Sequence, residues 1–288
     1  MNAFNKYYTG QHAQWSSKPT ITLPNAPSKD KSKLAKLYLP DENLVAAVNV
    51  AIFLGQPLLL TGEPGTGKTM LAYNIAKEFH LPGPFEFVVK STTSACDLFY
   101  KFDSLAQFRD VHAGKEYPAN HYVSLGPIGK AFLLSLDPEH ESTKKYGPVD
   151  PDNPNMGNTR SIVLIDEIDK APRDVPNDLL NEIEQMYFEI TEDNRTKVFA
   201  NKLQLPLVII TSNSEKNLPE AFLRRCVYYD IPFPKDNIKD IVKMNIKLSV
   251  KADKMLDKLL ILFSDIRETK TIIKKPGTAE LLNWLTTC

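Results

Sequence analysis

The segment Gly62-Glu63-Pro64-Gly65-Thr66-Gly67-Lys68-Thr69 constrains this chain more than any other feature, because it follows the spacing G-x-x-x-x-G-K-[ST] between a strand pattern and a helix pattern. Upstream, Pro57-Leu58-Leu59-Leu60-Thr61 is a short apolar run of buried-strand type; downstream, Met70 to Phe79 carries apolar residues at helical spacing. Such a loop turns sharply, and its successive N–H groups and the positive end of the following helix point at one anion. Lys68 is expected at the β and γ phosphates of a nucleoside triphosphate, and Thr69 is expected to offer its hydroxyl to Mg2+. The candidate nucleotide contacts are Gly62, Glu63, Pro64, Gly65, Thr66, Gly67, Lys68, Thr69 and Met70.

Two further strand tips are candidates for the same site. Ser161-Ile162-Val163-Leu164-Ile165 is a continuous, β-branched apolar run, as in strands buried on both faces, and it ends in Asp166-Glu167. Ligands of open α/β sheets bind at the carboxyl ends of strands, so Asp166 is placed to hold a water of the Mg2+ shell and Glu167 to polarise the attacking water. Asp169 and Lys170 read as a solvated turn before a helix around Leu179, Leu180, Ile183 and Met186. The third pattern, Leu205 to Thr211, runs into Ser212-Asn213-Ser214. Asn213 suits a neutral hydrogen-bonding group for the γ phosphate or the attacking water, although Asn and Ser after a strand also simply make turns.

Composition sets the outer bounds. With 288 residues, 42% hydrophobic and 24% charged, the chain can bury a full core, which predicts a soluble α/β domain with a small appendage. Its 35 basic and 35 acidic residues cancel, which argues against a broad nucleic-acid or anionic-membrane surface. The most apolar stretch, Leu44 to Leu60, is interrupted by Asn49, Gly55, Gln56 and Pro57 and reads as helix, turn and strand, not as a membrane span. The N-terminus lacks the apolar run of a secretory signal, and Cys96, Cys226 and Cys288 are scattered without metal-ligand spacing; a cytoplasmic location is expected.

Punctuation divides the chain into three parts. Residues 1–36 are polar, with Pro19, Pro24 and Pro27, and predict an extended N-terminal arm. Residues 37–234 form the nucleotide-binding domain, opening with a helix that turns Leu44, Val48, Ala51 and Ile52 to one face and stops at Gly55. A strand is expected at Phe85 to Lys90, then an insert at about 91–135, then a loop from Pro138 to Asn158 rich in Pro, Asn and Gly. The insert's Phe99, Tyr100, Phe102, Phe108 and Tyr122 are either core or a client-contact surface. Residues 235–288 become helical, with Ile238, Ile241, Val242, Met244 and Ile246, then Met255, Leu256, Leu259, Leu260, Leu262 and Phe263.

Three stretches together, 57–69, Asp166-Glu167-Ile168-Asp169-Lys170-Ala171-Pro172 and the Asn213 turn, resemble the AAA+ ATPases, specifically the MoxR-like branch, over about Leu39 to Trp284. The resemblance implies an α/β P-loop NTPase with a central parallel five-stranded sheet and a small C-terminal helical lid. It maps Walker B onto Asp166 and Glu167 and the sensor 1 asparagine onto Asn213. Leu218 to Cys226 resembles the finger region, where an arginine completes the neighbouring subunit's site; Arg225 is the first choice and Arg224 the second. Also implied are ATP as the nucleotide, a homo-oligomeric ring of six, remodelling or assembly of a protein client, and a von Willebrand A domain partner.

One departure stands out. Gly277, in Lys274-Lys275-Pro276-Gly277-Thr278, occupies about the place of the family's sensor 2 arginine, and Lys275 offers only a point charge as a substitute. Two alternatives follow: a nucleotide-gated oligomeric assembly module with incidental turnover, and a GTPase tied to DNA restriction. Asn201-Lys202-Leu203-Gln204 lacks the aspartate that the usual guanine-reading N-K-x-D pattern carries.

Overall fold

Short runs of Leu, Ile and Val that are apolar at every position need cover on both faces, and the chain supplies it with helices between the strands. The computed structural model describes residues 31, 35–214, 217–246, 250–269 and 275–287. Most of the expected N-terminal arm therefore lies outside the described residues. The first helix, α1 (Glu42–Leu54), starts where the Asp41 carboxylate accepts the Leu44 N–H at 2.9 Å and ends at Gly55 in the left-handed region. Strand β1 (Leu58–Gly62), the loop, helix α2 (Lys68–Glu78) and strand β2 (Phe85–Val88) follow.

The next stretch holds an antiparallel hairpin, β3 (Tyr100–Phe102) with β4 (Val123–Leu125), and between its strands the helix α3 (Ser104–His112). Helix α4 (Pro127–Ser135) then packs into the main core through Ile128, Ala131 and Phe132. Of the insert aromatics weighed as core or contact surface, Phe99, Tyr100 and Tyr122 are buried and Phe102 packs against the core, while Phe108 stands exposed on α3.

The stretch from Pro138 to Asn158, expected as a loop, contains the helix α5 (Glu141–Tyr146). Its anchor is distant in sequence: Lys145 Nζ lies 2.8 Å from the Asp193 carboxylate, and the Tyr146 hydroxyl donates to it at 2.7 Å. Strand β5 (Ile162–Asp166), helix α6 (Val175–Gln185), the hairpin β6 (Tyr187–Ile190) and β7 (Thr196–Phe199), strand β8 (Leu207–Thr211), the short α7 (Glu220–Leu223) and strand β9 (Val227–Ile231) complete this part.

Five parallel strands make the central sheet in the order β2-β5-β8-β1-β9. Alternate residues of each strand serve opposite layers. Leu58, Leu60, Ile162, Leu164 and Ile209 join Leu44, Val48 and Ala51 of α1 and Leu71, Ala72 and Ile75 of α2. Leu59, Val163, Ile165, Val208 and Ile210 face the other way, onto α4 and the α6 residues Val175, Leu179 and Ile183. Burying one such side chain is worth about 1.5–3 kcal/mol, so a register slip of one residue, which moves every side chain to the wrong layer, is strongly disfavoured.

Beyond β9, helices α8 (Ile238–Asn245), α9 (Val250–Glu268) and α10 (Thr278–Thr287) close on their own small core of Val242, Leu256, Phe263, Leu281 and Leu285.

Candidate nucleotide site

The parallel sheet turns the carboxyl ends of β1, β5 and β8 to one edge, and the strand order puts β8 between the other two. Register aligns Leu60 with Thr211 and Ile165 with Ile210, so the phosphate loop, Thr211 and Asp166 emerge side by side. Shape explains two loop glycines. Gly62 has φ +135°, and a Cβ there would lie 2.6 Å from the Ile231 carbonyl oxygen; Gly67 has φ +92°, and a Cβ there would lie 2.7 Å from the Tyr38 ring.

Lys68 is buried in the first turn of α2, where its ammonium donates to the Gly62 and Glu63 carbonyls at 2.7 and 3.0 Å. Burial pulls its pKa below the ordinary lysine value, against the opposing pull of Asp166, Asp169, Asp230 and Glu167. Thr66 closes the loop by donating its hydroxyl to the Glu63 carbonyl at 2.9 Å, and the Met70 N–H donates to the Gly67 carbonyl at 2.9 Å.

Asp166 ends β5, and hydroxyls approach its carboxylate from the first turn of α2 and from the tip of β8. Thr69 Oγ1 donates at 3.1 Å to either oxygen, and Thr211 Oγ1 donates at 2.5 Å. Lys68 and Asp166 therefore lie at one site, where the Asp166 charge acts on the Lys68 ammonium. Thr211 also accepts the Glu167 N–H at 3.0 Å, which helps hold Glu167 in a left-handed conformation, φ +61°, just past the strand. The Glu167 carboxylate is held from two sides, by Lys170 Nζ at 2.5 Å and by Asn213 Nδ2 at 3.4 Å. The Asn213 N–H in turn donates to buried Asp169 at 3.3 Å. Asn213 thus lies against Glu167, and Asp169 and Lys170, expected as a solvated turn, brace the pair.

The arginines of 218–226 point elsewhere in their own chain. Arg225 Nε lies 3.3 Å from the Glu184 carboxylate of α6, and Arg224 pairs with Glu220 at 2.5 Å. Lys275 is exposed. Sequence reasoning missed Thr211 and Tyr38. Thr211 had a signal, a hydroxyl ending a strand two residues before Asn213; Tyr38 had none, since its packing on Gly67 exists only once the chain has folded.

The remaining chemistry is quiet. Cys226 is a core residue whose thiol burial pushes up to about 12. Among the described residues no group of three His, Cys, Asp or Glu side chains forms a metal site, and no helix is long and apolar enough to cross a membrane.

A crystal structure from Cytophaga hutchinsonii, described as a "putative ATPase", is 16% identical with a TM-score of 0.42; the match covers 90% of this chain and 61% of that one. No curated protein is significantly similar in sequence. The family model for the AAA domain, dynein-related subfamily, matches residues 57–226. That span is more than half of the chain and encloses every strand whose tip carries a site residue, so the protein belongs to the dynein-related AAA domain family.

Proposed function

We propose that this chain is an ATPase of the MoxR-like branch, works with Mg2+ in a homo-hexameric ring, and converts ATP turnover into remodelling or assembly of a protein client with a von Willebrand A domain partner. The observation that carries the hydrolytic part is the continuous set of contacts Thr69–Asp166–Thr211–Glu167, which joins the loop to both other strand tips. Thr69 and Asp166 are hard oxygen donors with little room between them, a set that fits an ion preferring oxygen ligands and keeping several waters. When bound, Mg2+ neutralises charge on the phosphate oxygens.

The chain's own residues do the rest. The loop N–H groups cradle the phosphates, and Lys68 leaves the carbonyls of Gly62 and Glu63 to meet the β and γ oxygens. Glu167 takes a proton from the attacking water once Lys170 and Asn213 release its carboxylate, and Asn213 orients that water. Arg225 serves the neighbouring subunit, where a planar guanidinium stabilises charge spread over the transferring phosphoryl group.

Resemblance in sequence supports the ring, the client and the partner; the free Cys96 and Cys226 suit a reducing, cytoplasmic setting. ATP hydrolysis by the intact protein and by Glu167→Gln, at oligomerising concentration with and without a chelator, tests the reading. Turnover is expected to depend on Mg2+ and to fall to background in the variant while ATP binding persists. Equal rates in both proteins would rule out Glu167 as the base. The contact of Lys170 with Glu167 favours one refinement of the assembly alternative: an isolated subunit turns over slowly, and oligomerisation frees the base.

A further inference from the structure

The C-terminal helices return a buried arginine to the phosphate loop. Arg267, in the last turn of α9, is only 7% exposed. Its guanidinium lies 3.6 Å over the Phe233 ring, donates to the Pro276 carbonyl, and through Nη2 meets the Glu63 carboxylate at 2.5 Å. Glu63 is the second residue of the loop, and its own carbonyl is one of the two that hold the Lys68 ammonium. A short chain of contacts therefore runs from α9 through Glu63 to the lysine expected on the phosphates.

Backbone contact reinforces the link. A Cβ on Gly277 would lie 2.6 Å from the Pro64 carbonyl oxygen and 3.3 Å from the Gly65 Cα. Glu280 accepts the Gly277 N–H at 3.1 Å, and the same oxygen would meet a Cβ on Gly65 at 3.2 Å. An arginine at 277 would be driven into the loop, which explains why glycine stands there. Charge reaches the loop from Arg267 instead. A buried guanidinium is stable only with a set of acceptors around it, and this one has an aromatic face, a carbonyl and a carboxylate.

We propose that Arg267 is a positioning residue that latches the C-terminal helices to the phosphate loop through Glu63, pre-organising the loop for nucleotide and slowing nucleotide release. The proposal rests on the nucleotide reading of that loop and goes beyond it by naming the contact that couples it to the helices. The latch acts on the loop and does not touch phosphate.

The experiment measures release of a fluorescent ADP analogue from the full chain by stopped flow, with unfolding monitored in parallel. Arg267→Ala and Glu63→Gln are each expected to speed release about tenfold, and the double variant no more than either alone, as coupled groups behave. Arg267→Lys is expected to recover part of the loss, since it restores the charge but not the planar stacking. Gly277→Ala is expected to speed release by wedging the helices off the loop. Because Arg267→Ala removes a buried side chain and can unfold the helices, Glu63→Gln and Gly277→Ala decide the matter if it does. Unchanged or slower release in those two folded variants, or additive effects in the double variant, overturns the latch alone. Failure of the wild-type chain to bind the analogue overturns the nucleotide reading and the latch with it.

Discussion

Asp166 receives hydroxyl hydrogen bonds from Thr69 in the first turn of α2 and Thr211 at the tip of β8, and that is an arrangement in which a small change should be felt in rate more than in binding. Thr211→Val keeps the shape of the side chain and removes both its donation to Asp166 and its acceptance of the Glu167 N–H. Outer contacts of this kind are worth about 10- to 100-fold, so kcat is expected to fall within that range with little change in nucleotide affinity. Steady-state kinetics beside equilibrium binding would show the opposite split if Thr211 merely supported the fold. Lys68 offers a second test. Burial lowers its pKa in the free protein, whereas bound phosphate favours the charged form. Nucleotide affinity should therefore hold at neutral pH and fall as pH rises through the lowered value, with proton uptake on binding in that window. An affinity that stays flat up to the ordinary lysine range would show that Lys68 does not carry the phosphate charge.

Elements tell a different story about legibility. Helices α1 and α2 were readable because the apolar spacing of both, the glycine stop of α1 and the glycine loop before α2 are all local to the segments. Helix α5 was not, because a six-residue helix among Pro, Asn and Gly has weak local preference. Asp193 supplies what is missing: burial alone would raise its carboxyl pKa, but hydrogen bonds from Lys145 and Tyr146 outweigh that and hold it below the usual carboxylate range. A depressed pKa contributes stability above the unfolded value and loses it as pH falls through the folded one. Asp193→Asn is expected to cost about 1–3 kcal/mol at neutral pH, with the gap to wild type closing in acid. Denaturant unfolding at several pH values checks this, and a constant gap would mean that charge plays no part.

For the whole molecule, the arrangement of Arg225 decides whether the site is complete in one chain. Its guanidinium is half-exposed and pairs with Glu184 of its own chain. If it serves a neighbour, Arg225→Ala should leave particle mass in ATP and nucleotide binding intact while turnover falls by about a thousandfold. Unchanged hydrolysis in an assembled particle would remove Arg225 from the site, and Arg224→Ala would be the next variant to measure.

From the sequence alone came the strand, loop and helix around Lys68, the acidic tip at Asp166 and the asparagine beyond Thr211, because each is written in a few consecutive residues whose backbone preferences and hydrophobic spacing are local. Only the tertiary structure placed β8 between β1 and β5, set Thr211 against an acid 45 positions away, and carried Arg267 to Glu63 across 204 positions. Those pairings depend on strand order and on the packing of separate layers, which bring distant residues together and which local pattern does not encode.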